Sequence, residues 1–207
     1  MKVRRISLAG LLVAATVLTT GIGCAKPING TPANDRLAGS SEADQIYGGR
    51  GEDVIRGLGG ADSINGGPDG DRIYGGAGDD ELFGGGCEVA EFGHFCDNPG
   101  REHIYGGRGN DVLLANPCVH TFCAAERYIA LNSFFYGGPG DDRIVGADHR
   151  DVIKGGPGND AMKGLRGRDK IMAAGDGRKD RVICGPGRDR AIVDPFDRTR
   201  GCERVTR

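Results

Sequence analysis

Residues 137–145 read Gly-Gly-Pro-Gly-Asp-Asp-Arg-Ile-Val, and residues 155–163 repeat the pattern as Gly-Gly-Pro-Gly-Asn-Asp-Ala-Met-Lys. The shared nine-residue unit is Gly-Gly-x-Gly-x-Asp-x-U-x, in which U is apolar, and its residues are numbered as positions 1 to 9. Three more stretches match the first six positions closely, at residues 48–53, 75–80 and 106–111. A fixed period of this length predicts a solenoid, in which equivalent positions stack on one another.

Aspartate occupies position 6 in most copies of this unit. Strands of neighbouring turns lie about 4.8 Å apart, so stacked carboxylates are well within one Debye length of each other. They repel one another unless a cation lies between them. The sequence therefore predicts metal ligands at thirteen aspartates: Asp35, Asp44, Asp53, Asp62, Asp71, Asp80, Asp111, Asp142, Asp151, Asp160, Asp169, Asp180 and Asp189.

The other positions of the unit fit one frame. About fifteen units can be aligned, and position 8 is apolar throughout, so the three residues after each aspartate read as a strand whose middle side chain faces inward. Prolines fall almost always on position 3, which fits a turn because proline has no N–H for a strand ladder. With 39 glycines and no tryptophan, the composition excludes a broad core of large side chains.

The units resemble the RTX, or haemolysin-type, calcium-binding repeat across roughly residues 30–192. The resemblance implies an all-β fold, a parallel β-roll (a β-solenoid) with two nonapeptides per turn and several Ca²⁺ ions between turns. Calcium takes six to eight oxygen ligands, so stacked loops must share each ion, and we expect binding and folding to be one event. Besides the aspartates, the resemblance implies backbone ligands at Gly48, Gly49, Gly51, Gly75, Gly76, Gly78, Gly106, Gly107, Gly109, Gly137, Gly138, Gly140, Gly155, Gly156 and Gly158.

Two units per turn would place odd-numbered and even-numbered units on opposite edges of the roll. The even edge carries aspartate at every unit from Asp44 to Asp180, whereas Glu102 and Ser133 interrupt the odd edge. We therefore expect the main calcium ladder on the even edge. Its expected centre is Asp80, Asp111, Asp142 and Asp160. Loops with a broken glycine pattern, such as those before Asp44 and Asp151, are expected to bind weakly or not at all.

Two intervals of 22 residues, 84–105 and 115–136, interrupt the period as insertions. Each carries two cysteines, and the sequence does not choose between local bridges and bridges between stacked turns. The local bridges would be Cys87–Cys96 and Cys118–Cys123, and the alternatives are Cys87–Cys118 and Cys96–Cys123. A third pair, Cys184 and Cys202, is expected to close the C-terminal end, as similar pairs do in exported members of the family that the units resemble.

The N-terminus has the composition of an export signal. Lys2, Arg4 and Arg5 precede an apolar run that extends over residues 6–22. We expect residues 1–25 to be removed and the protein to be secreted, with no membrane span after removal of the signal. An even number of cysteines then remains, which fits disulfides in an oxidising compartment.

The expected domains are a β-roll over residues 26–192 and a C-terminal cap over residues 193–207. The stretch Gly21-Ile22-Gly23-Cys24 loosely resembles a lipobox. An alternative to free secretion is therefore a protein anchored at the cell surface through a lipid on Cys24.

The sequence predicts an extracellular structural or interaction module that binds calcium. The insertions contain aromatic residues and, between the two cysteines of each, one histidine, which leaves open a satellite core, a zinc site, or a cell-surface, glycan or protein partner. The alternative function is a secreted enzyme or toxin-related protein with a site in these loops, built from His94, Glu91, His120 and Glu126. Neither H-E-x-x-H nor G-x-S-x-G occurs, so we expect no enzyme activity. Basic residues are scattered along the sequence, so no nucleic-acid partner is expected.

Overall fold

The computed structural model describes residues 27–85, 88–90, 93–95, 101–115, 132–173 and 175–207. The predicted signal, Cys24 and the four cysteines of the insertions lie outside these residues, as do Glu91, His120 and Glu126. The described ranges form strands and turns and contain no helix, and therefore none long enough to cross a membrane. The all-β prediction is confirmed for this part of the chain.

Successive strands alternate between two parallel sheets of nine strands each. Sheet A contains, in spatial order, β1 (Ile28–Asn29), β3 (Gln45–Tyr47), β5 (Ser63–Asn65), β7 (Glu81–Phe83), β11 (Val112–Leu114), β13 (Arg143–Val145), β15 (Ala161–Lys163), β17 (Arg181–Ile183) and β19 (Arg198–Arg200). Sheet B contains β2 (Arg36–Ala38), β4 (Val54–Gly59), β6 (Arg72–Ala77), β10 (His103–Arg108), β12 (Phe134–Tyr136), β14 (Val152–Lys154), β16 (Lys170–Met172), β18 (Arg190–Ile192) and β20 (Arg204–Thr206).

The strand register shows that two units complete one turn. Ile46 pairs with Ile64, which lies 18 residues further along the chain. Across the first insertion the register is kept, because Ile73 pairs directly with Ile104. The predicted parallel β-solenoid is therefore confirmed, and the insertions leave the ladder between turns continuous.

Position 8 side chains from both sheets meet along the axis and form the hydrophobic core. Ile46 and Ile64 from sheet A and Ile55 and Ile73 from sheet B are fully buried, as are their equivalents in most later turns. Burying each of these side chains contributes about 1.5–3 kcal/mol. Because alternate residues of a strand face the same way, position 6 also faces inward, and the aspartates line the two margins of this core.

Two features lie outside the repeating frame. Residues 193–207, the expected cap, add strands β19 and β20 to the two sheets, and the predicted disulfide Cys184–Cys202 is present with its Cα atoms 5.1 Å apart. Within the first insertion, β8 (Glu88–Ala90) and β9 (Gly93–Phe95) form an antiparallel hairpin that the sequence did not predict.

Candidate metal centre

The position 6 aspartates stand in two columns, one at each edge where the chain crosses between the sheets. We call the column that precedes sheet A strands the even edge and the column that precedes sheet B strands the odd edge. On the even edge, the backbone N–H of Asp80 donates to Oδ1 of Asp111, and that of Asp111 donates to Oδ1 of Asp142, both at 2.9 Å. The same bond links every even-edge aspartate from Asp44 to Asp197.

The odd-edge column follows the predicted order, with Glu102 and Ser133 in place of aspartates in its middle. The N–H of Asp71 donates to Oε2 of Glu102 at 3.2 Å, and the N–H of Ser133 donates to Oδ1 of Asp151 at 3.3 Å. The column ends at Glu203, whose Oε2 accepts the N–H of Asp189. Glu203 on this edge and Asp197 on the other complete the columns, and sequence reasoning missed both because neither falls on the nine-residue period.

The second carboxylate oxygen of most of these aspartates is buried without a hydrogen-bond donor in the described part of the chain. The ten side chains with such an Oδ2 are Asp53, Asp62, Asp71, Asp80, Asp111, Asp142, Asp160, Asp169, Asp180 and Asp189. A buried polar atom without a partner costs about 1–3 kcal/mol, and more when it carries charge. Ten such atoms in two rows call for a missing ligand, and a cation is the partner that carboxylate oxygens lack.

The pKa values of the position 6 aspartates reflect the same unfavourable burial. The pKa values of Asp80 and Asp111 are raised to about 6, chiefly by desolvation; a backbone N–H lowers them, and neighbouring carboxylates raise them. For the same reasons the pKa reaches about 8 at Asp142 and about 9 at Asp71. At neutral pH, without metal, Asp71 and Asp142 therefore retain protons that a cation can replace.

Three loops differ because they satisfy their own aspartate, and we call them closed loops. In each of them the backbone N–H at position 2 donates to Oδ2 of the aspartate at position 6. Thr31 donates to Asp35, and Ser40 donates to Asp44, both at 2.5 Å. In the third closed loop the N–H of Ala147 donates to Oδ2 of Asp151 at 2.6 Å. The hydroxyls of Thr31 and Ser40 add a second bond to the same oxygens. These aspartates need no further partner on Oδ2.

In the other ten loops, which we call open, no described position 2 N–H donates to the loop's own aspartate. Position 2 has a positive φ in nine of them, at Gly49, Leu58, Gly67, Gly76, Gly107, Gly138, Gly156, Leu165 and Gly185. In the loop of Gly107, for example, the position 2 N–H donates to the carbonyl of Gly137 one turn away at 2.8 Å, which leaves Oδ2 of Asp111 without a donor. The left-handed conformation of position 2 therefore separates open from closed loops.

Glycine at position 1 keeps space for the carboxylate. A Cβ at Gly57 would overlap Oδ2 of Asp62 and would lie 2.5 Å from the carbonyl oxygen of Gly75. A Cβ at Gly137 would likewise overlap Oδ2 of Asp142. In these two loops an unpartnered carboxylate oxygen thus lies beside a backbone carbonyl of the next turn, which is an all-oxygen environment of the kind calcium prefers.

The loop carbonyls are not equivalent as possible ligands. The position 1 carbonyls of Gly137 and Gly155 accept N–H groups from the preceding turn at 2.8 and 3.0 Å. No described backbone N–H donates to the carbonyls of Gly138 or Gly140, at positions 2 and 4. Within the described ranges no three His, Cys, Asp or Glu side chains converge, so a metal here would need backbone carbonyls for most of its ligands.

Comparison with known proteins gives one match. A profile of the RTX calcium-binding nonapeptide repeat matches the chain in four copies, at residues 29–64, 56–86, 98–117 and 136–171. These copies cover more than half of the chain and contain eight of the ten open-loop aspartates. No curated protein matches the chain.

Proposed function

Because the chain belongs to the RTX calcium-binding nonapeptide repeat family, we propose that it binds several calcium ions in rows along both edges of its solenoid. The observation that carries this proposal is the set of ten buried, unpartnered Oδ2 atoms. Bound calcium would neutralise the carboxylates and supply the interaction that no described donor provides. The proposed ligands are these oxygens together with position 2 and position 4 carbonyls such as those of Gly138 and Gly140.

The proposal restricts calcium to the open loops. In the closed loops of Asp35, Asp44 and Asp151, the position 2 N–H already occupies Oδ2, and a cation would have to displace that hydrogen bond. We therefore propose that these three loops hold their turns without metal. This extends the expectation for Asp44 and Asp151 to the first loop of the solenoid.

The two edges then differ in the length of their calcium rows. Six consecutive open loops follow one another on the even edge from Asp62 to Asp180. On the odd edge, two pairs of open loops are separated by Glu102, Ser133 and the closed loop of Asp151. The main row is therefore the even edge, and the odd edge carries two short rows.

For the whole protein we propose a calcium-folded module that acts outside the cell as a structural or interaction element. The Cys184–Cys202 disulfide supports this location, because such bonds persist in oxidising compartments. The N-terminal pattern of cations and an apolar run supports export. An enzyme site in the insertions is not proposed, because no described side chain supports one.

The test compares an open and a closed loop of the same edge. Asp111→Asn removes the charge from an open loop, and we expect it to lower the number of bound calcium ions or weaken binding by at least about tenfold, the cost of one charged ligand. The matched control, Asp44→Asn, removes the same charge from a closed loop and should leave calcium binding unchanged. Isothermal titration calorimetry of the oxidised protein measures both.

Two outcomes of this comparison contradict the proposal. Equal losses in the two variants would show that closed loops bind calcium as well. An unaltered isotherm for Asp111→Asn would show that the even-edge carboxylates are not ligands.

A further inference from the structure

The outward face of sheet B contains no acidic residue. Its nine strands present positions 7 and 9 to the outside, and these eighteen side chains include seven lysines and arginines and no aspartate or glutamate. All seven cations are exposed. In the described part of the chain none of them forms an ion pair. The parallel register thus gathers on one face basic residues that are scattered along the sequence.

At the C-terminal end of this face, cations stack directly on one another. Lys170 pairs in register with Arg190, and Arg190 pairs with Arg204. Like charges directly opposite each other in neighbouring strands destabilise a sheet. On sheet A, Arg181 pairs in register with Arg198, but Ala161 separates this pair from Arg143, so only two cations stack there. Within the described ranges these three stacked cations form no ion pair, so a bound anion would stabilise them.

The centre of the face is aromatic, but its ring faces are occupied. Tyr74 stacks on Tyr105 with ring centroids 4.9 Å apart and planes inclined by 6°. The guanidinium of Arg56 lies over Tyr74, and the ammonium of Lys154 lies over the ring of Tyr136. The rings therefore present their edges and hydroxyls outward, and they do not offer free faces on which nucleic-acid bases could stack.

The outward face of sheet B, a long and narrow strip, carries a net positive charge. Burial lowers the pKa of His103, and the charges of Arg72 and Arg101 lower it further, so the imidazole adds no charge of its own at neutral pH. The strip is about 38 Å long, from eight strand spacings, and about 7 Å wide, from two residues along a strand. The face is long and narrow, with cations towards both ends and tyrosine hydroxyls in its middle, which fits a single extended polymer better than a planar membrane or a double helix.

We infer that the outward face of sheet B binds a linear anionic polysaccharide along the solenoid axis. Sulfate or carboxylate groups pair with the stacked cations of β16, β18 and β20, and the tyrosine hydroxyls of β6, β10 and β12 hydrogen-bond to sugar hydroxyls further along the same polymer. The inference goes beyond calcium binding, because no side chain of this face is a proposed calcium ligand; calcium enters only by folding the roll that carries the face. Strand spacing, rather than the insertions, sets the repeat that the polymer meets.

Binding to dextran sulfate and to neutral dextran of the same length, measured by isothermal titration calorimetry in calcium-containing buffer, tests the inference. The triple variant Lys170→Gln, Arg190→Gln, Arg204→Gln removes the sheet B stack. We expect it to bind dextran sulfate at least about tenfold more weakly than the unaltered protein, and neutral dextran should not bind. The matched control, Arg143→Gln, Lys163→Gln, Arg181→Gln, removes three charges from sheet A and should change the affinity by less than about threefold.

Circular dichroism and a calcium titration of each variant show that the roll still folds, so a loss of polymer binding is not a loss of calcium binding. Equal weakening in both triple variants would overturn the inference, because net charge alone would then explain it. Absence of dextran sulfate binding to the unaltered protein would overturn it as well. So would tighter binding to an oligothymidylate or to phosphatidylglycerol vesicles than to dextran sulfate.

Discussion

At the scale of single residues, the conformation of position 2 determines what each loop can do. A positive φ turns its N–H toward the next turn and leaves the aspartate open, whereas Thr31, Ser40 and Ala147 donate to their own aspartate. Leu58 and Leu165 adopt this conformation with φ of 83° and 75°, although it costs a residue with a Cβ about 1–2 kcal/mol. Such strain is kept where function requires it, which supports calcium ligation in these two loops.

The strain at Leu58 predicts a stabilising substitution. Leu58→Gly removes the conformational cost, and little burial is lost because 53% of the leucine surface is exposed. After subtracting the larger entropy of glycine in the unfolded chain, we expect a gain of about 0.5–1 kcal/mol in the calcium-loaded protein, with unchanged calcium stoichiometry. Urea denaturation measures the gain, and Leu58→Ala, which keeps the strain, is the control. A loss of stability in the glycine variant would show that the leucine side chain outweighs the strain.

At the scale of elements, each turn is held by its neighbours, so the ends of the solenoid need protection. The core of the last turns has smaller side chains, because Ala191 and Thr199 stand where the middle turns of the solenoid have larger aliphatic residues. The Cys184–Cys202 disulfide links β17 to the segment between β19 and β20. In a linear array of repeats such a link stabilises the end locally and leaves distant turns unaffected.

Removal of this disulfide should therefore destabilise the C-terminal end of the solenoid and leave the other turns intact. Closing an 18-residue loop contributes about 3 kcal/mol in the chain-entropy account. In Cys202→Ser we expect amide hydrogen exchange to accelerate in β17 to β20, while protection in β3 to β7 stays unchanged. Uniform acceleration across both sheets would instead indicate that the solenoid unfolds as one cooperative unit.

The sequence defines the repeat more completely than it defines the sites. The inward alternation of position 6 and position 8 determines the register, because a slip of one residue would expose every core isoleucine and aspartate. The open state of the loops at Leu58 and Leu165 was not predictable, since leucine disfavours a positive φ and only stacking between turns imposes it. Asp197 and Glu203 complete the columns from outside the period. The pairing of the insertion cysteines concerns residues outside the described ranges and stays a prediction.

At the scale of the whole molecule, the buried carboxylates make the fold sensitive to what neutralises them. Desolvation raises their pKa values above the ordinary 3.8, to between about 6 and about 9 at Asp53, Asp62, Asp71 and Asp142. Protons and the proposed calcium ions would therefore compete for the same oxygens. The metal-free solenoid and the calcium-bound solenoid should respond to pH in opposite directions.

The pH dependence of the metal-free protein follows from the sign of these shifts. Folded-state pKa values above the unfolded value mean that the folded state binds protons more tightly, so their contribution to stability is complete below about pH 4 and is lost as pH rises to about 8. In protein freed of metal by chelation and desalting, we expect the far-UV strand signal to be greater at pH 5 than at pH 8. With calcium bound, the urea midpoint should instead fall as the pH is lowered from 8 to 5. The same pH response with and without calcium would contradict this account.

The measurement that tests the central claim most directly is far-UV circular dichroism of the oxidised protein during a calcium titration after chelation, at neutral pH. The account predicts little strand signal in excess EDTA, a cooperative gain as calcium is added, and a much smaller gain with magnesium, which resists irregular ligand sets. A spectrum that shows the same strand content in EDTA as in calcium would contradict it, because the carboxylate columns would then be stable without a metal.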